Sequence, residues 1–278
     1  MKKLIVTFSL VGLVLAMTAC GGKAQEGTKE TVQKNKDEKI IKVASQTTPM
    51  TDVVEVAAKE AEKDGWKIEL IQVNDNIQYN ELLKNKEVDA NFAQHEPYMK
   101  KFNQEKKAKL VAIQKIYNAK VGFYSKDYKK IEDIPDGAKV AIPNDISNEG
   151  RALAILAEEG LITLKEGVGF EGTLKDIEKN DKNLEFVSID LLNLAEAYNE
   201  KDVALVYNYP TYIAKIGLKP TDALFLEKTV DERFAISLVA REDNKESESI
   251  KELKKVMTSD SVKQFLEKEH SETLVPAF

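Results

Sequence analysis

The sequence predicts an α/β protein in two lobes, each a mostly parallel sheet flanked by helices, joined by two crossover linkers. Three observations carry this reading. Apolar runs of strand length alternate with amphipathic stretches of helix length, and the alternation occurs twice. About 240 residues from Ile40 onward follow the pattern, enough for two cores. A polar stretch, KDYKKIEDIPDG (126–137), separates the two successions.

The elements follow in order. IIKVAS (40–45) reads as a strand, and Thr51 or Asp52 can cap a helix through VVEVAAKEAEK that stops at Gly65. WKIELIQV (66–73) is the next strand, followed by a short helix around YNELLKN. VDANFA (88–93) is a third strand, a helix spans 96–106, and KLVAIQKI and KVGFYS are extended. The second succession opens with the strand KVAIPND (139–145). It runs into the helix SNEGRALAILAEEG, with Ser147 as a candidate N-cap and Gly160 just past its end. LEFVSID, LLNLAEAYNE and DVALVYN read as strand, helix and strand; DALFLEK and FAISLVARE are extended, and the tail over 247–270 is helical. The last strands and helices return to the first lobe. Lobe 1 is then 40–126 plus 228–278 and lobe 2 is 127–227, with crossings near 124–128 and 225–229. Such sheets collect ligands at the C-terminal ends of their strands, here in the cleft between lobes.

The N-terminus sets the compartment. Lys2 and Lys3 precede a short apolar core from Leu4 to Met17, and Met17-Thr18-Ala19 leads to Cys20, the single cysteine. This is the layout of a signal peptide (1–19) cleaved before a lipidated Cys20. The polar segment 20–39 then reads as a disordered tether between a membrane anchor and the globular body. The expected location is the extracytoplasmic face of a cell membrane, and with its one cysteine lipidated the chain has no internal disulfide. Formal charge is −6, and loss of the two lysines with the signal peptide makes it −8. An acidic surface without a basic, aromatic-rich patch argues against a nucleic-acid partner.

Enzyme chemistry lacks its parts. There is no G-x-S-x-G elbow, no H-E-x-x-H, and no spacing of His, Asp and Glu that suits a metal, so no cofactor, metal or catalytic residue is expected. Binding chemistry has better candidates. In AIPNDISNEGRALAIL (141–156) a strand delivers Asn144 and Asp145 to a turn, and Arg151 follows in the first turns of a helix whose start favours anions. Arg151 can pair with Asp145 or Glu149 on the surface, or its planar fork can clamp a ligand carboxylate beside Asn144 and Asn148. In NFAQHEPYM (91–99), His95 ends a strand and Pro97 suits the first turn of the next helix, so Phe92, His95 and Tyr98 can converge at a cleft rim. The alternatives are a structural hydrogen bond for His95 and a core position for Phe92.

These two stretches, with YSKDYKKIEDIPDGAKVAIPND (124–145), EEGLITLKEG (158–167) and AKIGLKPTDALFLE (214–227), resemble the methionine-binding lipoproteins of ABC importers. The likeness covers essentially all of 40–278. It implies a type II periplasmic-binding-protein fold that is tethered by lipid and delivers a ligand to a permease and an ATPase on separate chains. Carried over by position, it implies that Phe92, His95 and Tyr98 form an aromatic wall around the methionine side chain and that Arg151 binds the carboxylate. The family's amine-binding segment is replaced by VYNYPTYIAKIGL (206–218), where Asn208 stands in, with Tyr207 or Tyr209 nearby. Two rivals remain. One is the same fold holding a methionine-containing dipeptide or another apolar amino acid; the other is a surface adhesin or immune-facing lipoprotein without a transport role.

Overall fold

The structure is a computed structural model that describes residues 39–278. The expected signal peptide, the lipidated Cys20 and the tether up to residue 38 lie outside the described residues. The first succession comprises β1 (Lys39–Ser45), α1 (Met50–Lys63), β2 (Trp66–Gln72), α2 (Gln78–Lys84), β3 (Ala90–His95), α3 (Glu96–Lys106) and β4 (Leu110–Ala119). The second opens with β5 (Gly122–Tyr124), β6 (Lys139–Pro143), α4 (Ile146–Glu158), β7 (Thr163–Leu164), β8 (Ile177–Lys179) and β9 (Glu185–Ile189). It continues through α5 (Leu194–Ala197), β10 (Val203–Asn208), α6 (Pro210–Ile213) and β11 (Phe225–Leu226). The chain closes with β12 (Ile236–Arg241), α7 (Glu248–Met257), α8 (Asp260–Glu269) and β13 (Leu274–Pro276).

Two main sheets result. One has the order β13-β4-β12-β3-β1-β2 and the other β11-β5-β10-β6-β9, while β7 and β8 form a small ladder of their own. The sheets are mixed rather than mostly parallel. β1 runs parallel to β2 and β3, and β6 runs parallel to β9 and β10, as helical crossovers require. The other pairings are antiparallel because strands arrive from elsewhere. β12, returning from the second sheet, inserts between β3 and β4 and runs against both, and β13 runs against β4. β5 likewise runs against β10 and β11. No local pattern announces such insertions. The chain changes sheets between Ala119 and Gly122 and again between Leu226 and Ile236, so β5 already belongs to the second sheet where a crossing near 124–128 was expected.

One cluster of buried apolar side chains, including Ile41, Phe92, Val140, Leu205 and Leu238, runs through both sheets. Each such side chain contributes roughly 1.5–3 kcal/mol on burial. The helix starts that point toward the site are capped by side chains. His95 caps α3, with Pro97 in the first turn, and Asp145 caps α4 by accepting from the Asn148 N–H at 3.0 Å. Ser147, the expected cap, donates its hydroxyl to the same carboxylate at 2.7 Å. Thr51 and Asp52 lie inside the first turn of α1, whose start carries no side-chain cap. Among the described residues no helix is long and apolar enough to cross a membrane.

Candidate ligand-binding site

Two strand ends build the site, and both end the same way. β3 finishes at His95 just before Pro97, and β10 finishes at Asn208 with Tyr209 ahead of Pro210, each proline lying in the first turn of the next helix. The two ends face a chamber whose cavity holds about 40 Å³, room for a few waters, so an amino acid can enter only if the walls move apart. His95, Tyr98, Tyr79 and Gln94 line it from one side and Asn148, Tyr209, Thr211 and Tyr212 from the other; Tyr117, Ala119 and Ile236 also line it. None of its lining residues is Asp, Glu, Lys or Arg. A second, wider groove outside α3 and α4, about 480 Å³ by the same measure, is bordered by long charged side chains such as Lys100, Lys101, Glu171 and Arg233.

His95 has a defined tautomer. Its Nδ1 accepts the Tyr98 N–H at 3.2 Å, so the proton sits on Nε2, 3.2 Å from Asn148 Oδ1, to which it donates. Burial and the nearby Arg151 guanidinium lower its pKa to about 4, so the ring is neutral at pH 7. Asn148 Oδ1 also accepts from the Tyr209 hydroxyl at 2.8 Å, and its Nδ2 donates to both Asp145 oxygens at 3.1 and 2.9 Å. The expected neutral partner for a ligand is thus a bridge between the end of β3 and Tyr209, the residue joining β10 to α6. A second bridge runs from the Tyr212 hydroxyl to Gln46 Oε1 at 3.2 Å. Burial raises the pKa of Tyr79, Tyr98, Tyr117, Tyr209 and Tyr212, so the chamber wall presents phenols rather than phenolates.

Arg151 is fully buried, and its fork is occupied. Nε and Nη2 donate to Glu227 Oε2 and Oε1 at 3.1 and 2.5 Å, Nη2 also donates to the Ala119 carbonyl at 3.2 Å, and Nη1 donates to the Tyr209 oxygen at 3.0 Å. The Phe234 ring lies 4.4 Å from the guanidinium carbon. Neither Asp145 nor Glu149 is its partner, and the guanidinium does not line the chamber. Burial opposes the Arg151 charge, but Tyr209, Tyr207 and Glu227 outweigh it and hold the group protonated. Burial pushes the Glu227 carboxyl above its ordinary value, opposed by Arg151 and by the Val121 N–H that Oε1 accepts at 3.0 Å.

The structure brings together four of the expected residues at the chamber: His95, Tyr98, Asn148 and, of the alternatives Tyr207 and Tyr209, Tyr209. It does not bring the others there. Phe92 is fully buried in the core, edge-on to Tyr117. The cause is a register shift in which Gln94 and Phe92 pair with consecutive residues of β12, leaving Ala93 unpaired, so that Ala93, Gln94 and His95 all reach the chamber. Tyr207 packs on Phe123, and Asn208 Oδ1 accepts the Tyr209 N–H; both are fully buried behind the wall. Asn144 is exposed at the strand end. Sequence reasoning missed Tyr79, Tyr117, Tyr212 and Glu227. The N-Y-P run parallel to H-E-P was the available signal for the Tyr209 end; nothing local marks Glu227. Gly150 lets the backbone at Phe170 pack directly against α4. A Cβ at position 150 would stand 2.1 Å from the Phe170 carbonyl oxygen.

A profile of NlpA lipoproteins matches residues 41–278. The chain belongs to the NlpA lipoprotein family. The D-methionine-binding lipoprotein MetQ of Salmonella typhimurium is 37% identical over 258 residues, 92% of each chain. A crystal structure of a YaeC-family lipoprotein from Enterococcus faecalis V583 shares 51% identity with a TM-score of 0.78, covering 86% of this chain and 100% of its own. A nutrient-binding protein from Burkholderia cenocepacia, solved bound to methionine, shares 35% identity with a TM-score of 0.81, covering 86% and 100%. The α/β fold expected from the sequence therefore stands, with mixed rather than mostly parallel sheets, and the relatives named for a function are binding proteins. Among the described residues no group of three His, Cys, Asp or Glu could hold a metal ion.

Proposed function

We propose that this NlpA lipoprotein is a lipid-anchored, extracytoplasmic substrate-binding protein of an ABC importer, with the chamber as its site and L-methionine as its ligand. The observation that carries the reading is the wall itself: five phenols and a neutral imidazole around a space that no charged side chain lines. A thioether is apolar and polarizable and gains from aromatic edges. The ligand's carboxylate would meet the hydroxyl and amide groups around Tyr209 and Asn148, with Arg151 acting through Tyr209 rather than as a direct clamp. Closure of two lobes, each built on one of the two main sheets, would bury the ligand, and the His95–Asn148 and Tyr212–Gln46 bridges are suited to hold that closure. The closed form would then be presented to a permease and an ATPase on separate chains. Relatives named for methionine, one of them solved with methionine bound, support the same ligand.

One observation favours a second ligand. The chamber lining holds no carboxylate to receive a free ammonium, and a buried amine needs acceptors. In a methionine-containing dipeptide the methionine nitrogen is an amide and the ammonium lies one residue farther from the carboxylate, so its acceptor need not be in the chamber lining. Thermal unfolding of protein stripped of ligand by denaturation and refolding separates the cases, with L-methionine, D-methionine, other amino acids and glycyl-methionine added in turn. Ligand at about 100 times its Kd adds roughly 2.7 kcal/mol of stability. A shift confined to L-methionine supports the first reading and a shift confined to the dipeptide the second. Silence across the panel defeats both and leaves the adhesin reading ahead.

A further inference from the structure

Arg151 and Glu227 stand one layer behind the chamber, with side chains 0% and 3% exposed. The guanidinium is bonded directly to two wall residues, Ala119 through its carbonyl and Tyr209 through its hydroxyl, and Tyr209 passes the contact to Asn148. The wall itself carries no ionised group, since its only histidine donates as a neutral ring. Two charged groups are bonded to the wall from behind: Arg151, with Glu227 as its counter-charge, and Asp145, which accepts from Asn148. A guanidinium stays charged at any working pH, and charges act strongly over short distances in a medium of low dielectric. With Glu227 in place the Arg151–Glu227 pair sums to zero. Without it, an unneutralised cation would sit against the chamber wall and draw an anion to Tyr209 and Ala119.

We propose that Glu227 is a specificity-determining residue: by neutralising Arg151 behind the wall, it restricts the chamber to ligands of zero net charge and turns anions away. The inference deepens the reading of the chamber as an amino-acid site and rests on it. Both candidate ligands, the zwitterionic amino acid and the zwitterionic dipeptide, satisfy the rule. It also assigns a role to Glu227 that lies 76 residues from Arg151 in the chain and never touches the ligand. Glu227 is thus a positioning group for charge rather than a contact.

The test compares L-methionine with N-acetyl-L-methionine, which keeps the thioether and the carboxylate but carries one net negative charge. Calorimetric titrations on the full chain, stripped of ligand, give the ratio of the two Kd values in wild type, in Glu227→Gln and in the double variant Arg151→Gln with Glu227→Gln. Because each ratio is taken within one protein, a reduced folded fraction cancels. The expected ratio favours methionine in wild type and moves at least tenfold toward the anion in Glu227→Gln, about 1.4 kcal/mol. In the double variant it returns to within about threefold of wild type. An unchanged ratio in Glu227→Gln overturns the inference, as does a shift that persists in the double variant, which would trace to shape rather than charge. A wild type that prefers the acetylated anion overturns it whether or not the variants fold. A wild type that binds neither methionine nor the dipeptide defeats the amino-acid reading itself, and is told apart by the absence of any measurable ratio.

Discussion

Lowering the pH from 7 to 4 should cost the protein stability through His95. The ring is neutral in the folded state because burial and Arg151 depress its pKa from 6.5 to about 4. The unfolded chain, with an ordinary histidine, takes up its proton near 6.5. Between those values the unfolded state binds more protons, so stability rises with pH and is lost on acidification. A gap of roughly 2.5 pH units corresponds to about 3 kcal/mol, fully present above pH 6.5 and gone by about pH 4. The natural reference is His95→Asn, since asparagine can cap α3 in the same way yet does not titrate. Urea unfolding of both proteins at half-unit pH steps gives the difference directly, and His270, present in both, drops out. The difference should be constant above pH 6.5 and then fall by about 1.4 kcal/mol per unit. The imidazole resonances provide a second reading, with only two histidines to assign. A difference that stays flat from pH 7 to 4, or a His95 resonance that titrates near 6.5, would refute the buried, neutral, capping ring.

Three further outcomes follow from the same geometry. Arg151→Met removes both guanidinium bonds from Glu227 and leaves Oε2 without a donor; it should cost about 3–5 kcal/mol in urea unfolding, and adding Glu227→Leu should recover most of that loss. Phe92→Ala should cost about 3–5 kcal/mol of stability while leaving ligand affinity within a few fold, whereas Tyr209→Phe should stay folded and weaken binding, both read by urea unfolding and calorimetry. Gly150→Ala should lower stability by about 1–3 kcal/mol or more, because backbone at Phe170 must move to admit the methyl group; the melting temperature checks it.

The parts of this molecule that depend on short stretches of chain were legible. Apolar periodicity located the principal strands and helices but not β7, β8, β13 or α6, and Pro97 marked the start of α3 correctly. His95 was recognised as unusual for a sound reason, since a strand end followed by a helix-starting proline leaves its side chain at the tip of a sheet. What stayed hidden depends on chain segments distant in sequence. Asp145 and Ser147 are both good caps two residues apart, and only the fold shows the hydroxyl serving the carboxylate. The insertion of β12 between β3 and β4 has no local signature, and neither does the register shift at Ala93 that turns Phe92 into the core. The sequence offers Arg151 a nearby partner in Asp145 or Glu149, or a ligand carboxylate; its partner in the fold, Glu227, is one carboxylate among 47 acidic residues, brought close only when the chain returns after β11. Of the aromatic wall, only His95, Tyr98 and Tyr209 at the two strand ends could be read from the sequence; Tyr79, Tyr117 and Tyr212, like the ionic half, could not.

The most direct test of the ligand chamber is the position of the ligand's methyl group. Methionine labelled with ¹³C at its S-methyl, bound to ligand-stripped protein, should show an upfield-shifted methyl signal and nuclear Overhauser contacts to the rings of Tyr79, Tyr98 and Tyr117. Contacts to Phe170 in the outer groove, or none to the tyrosines, would contradict the assignment of the chamber as the binding site.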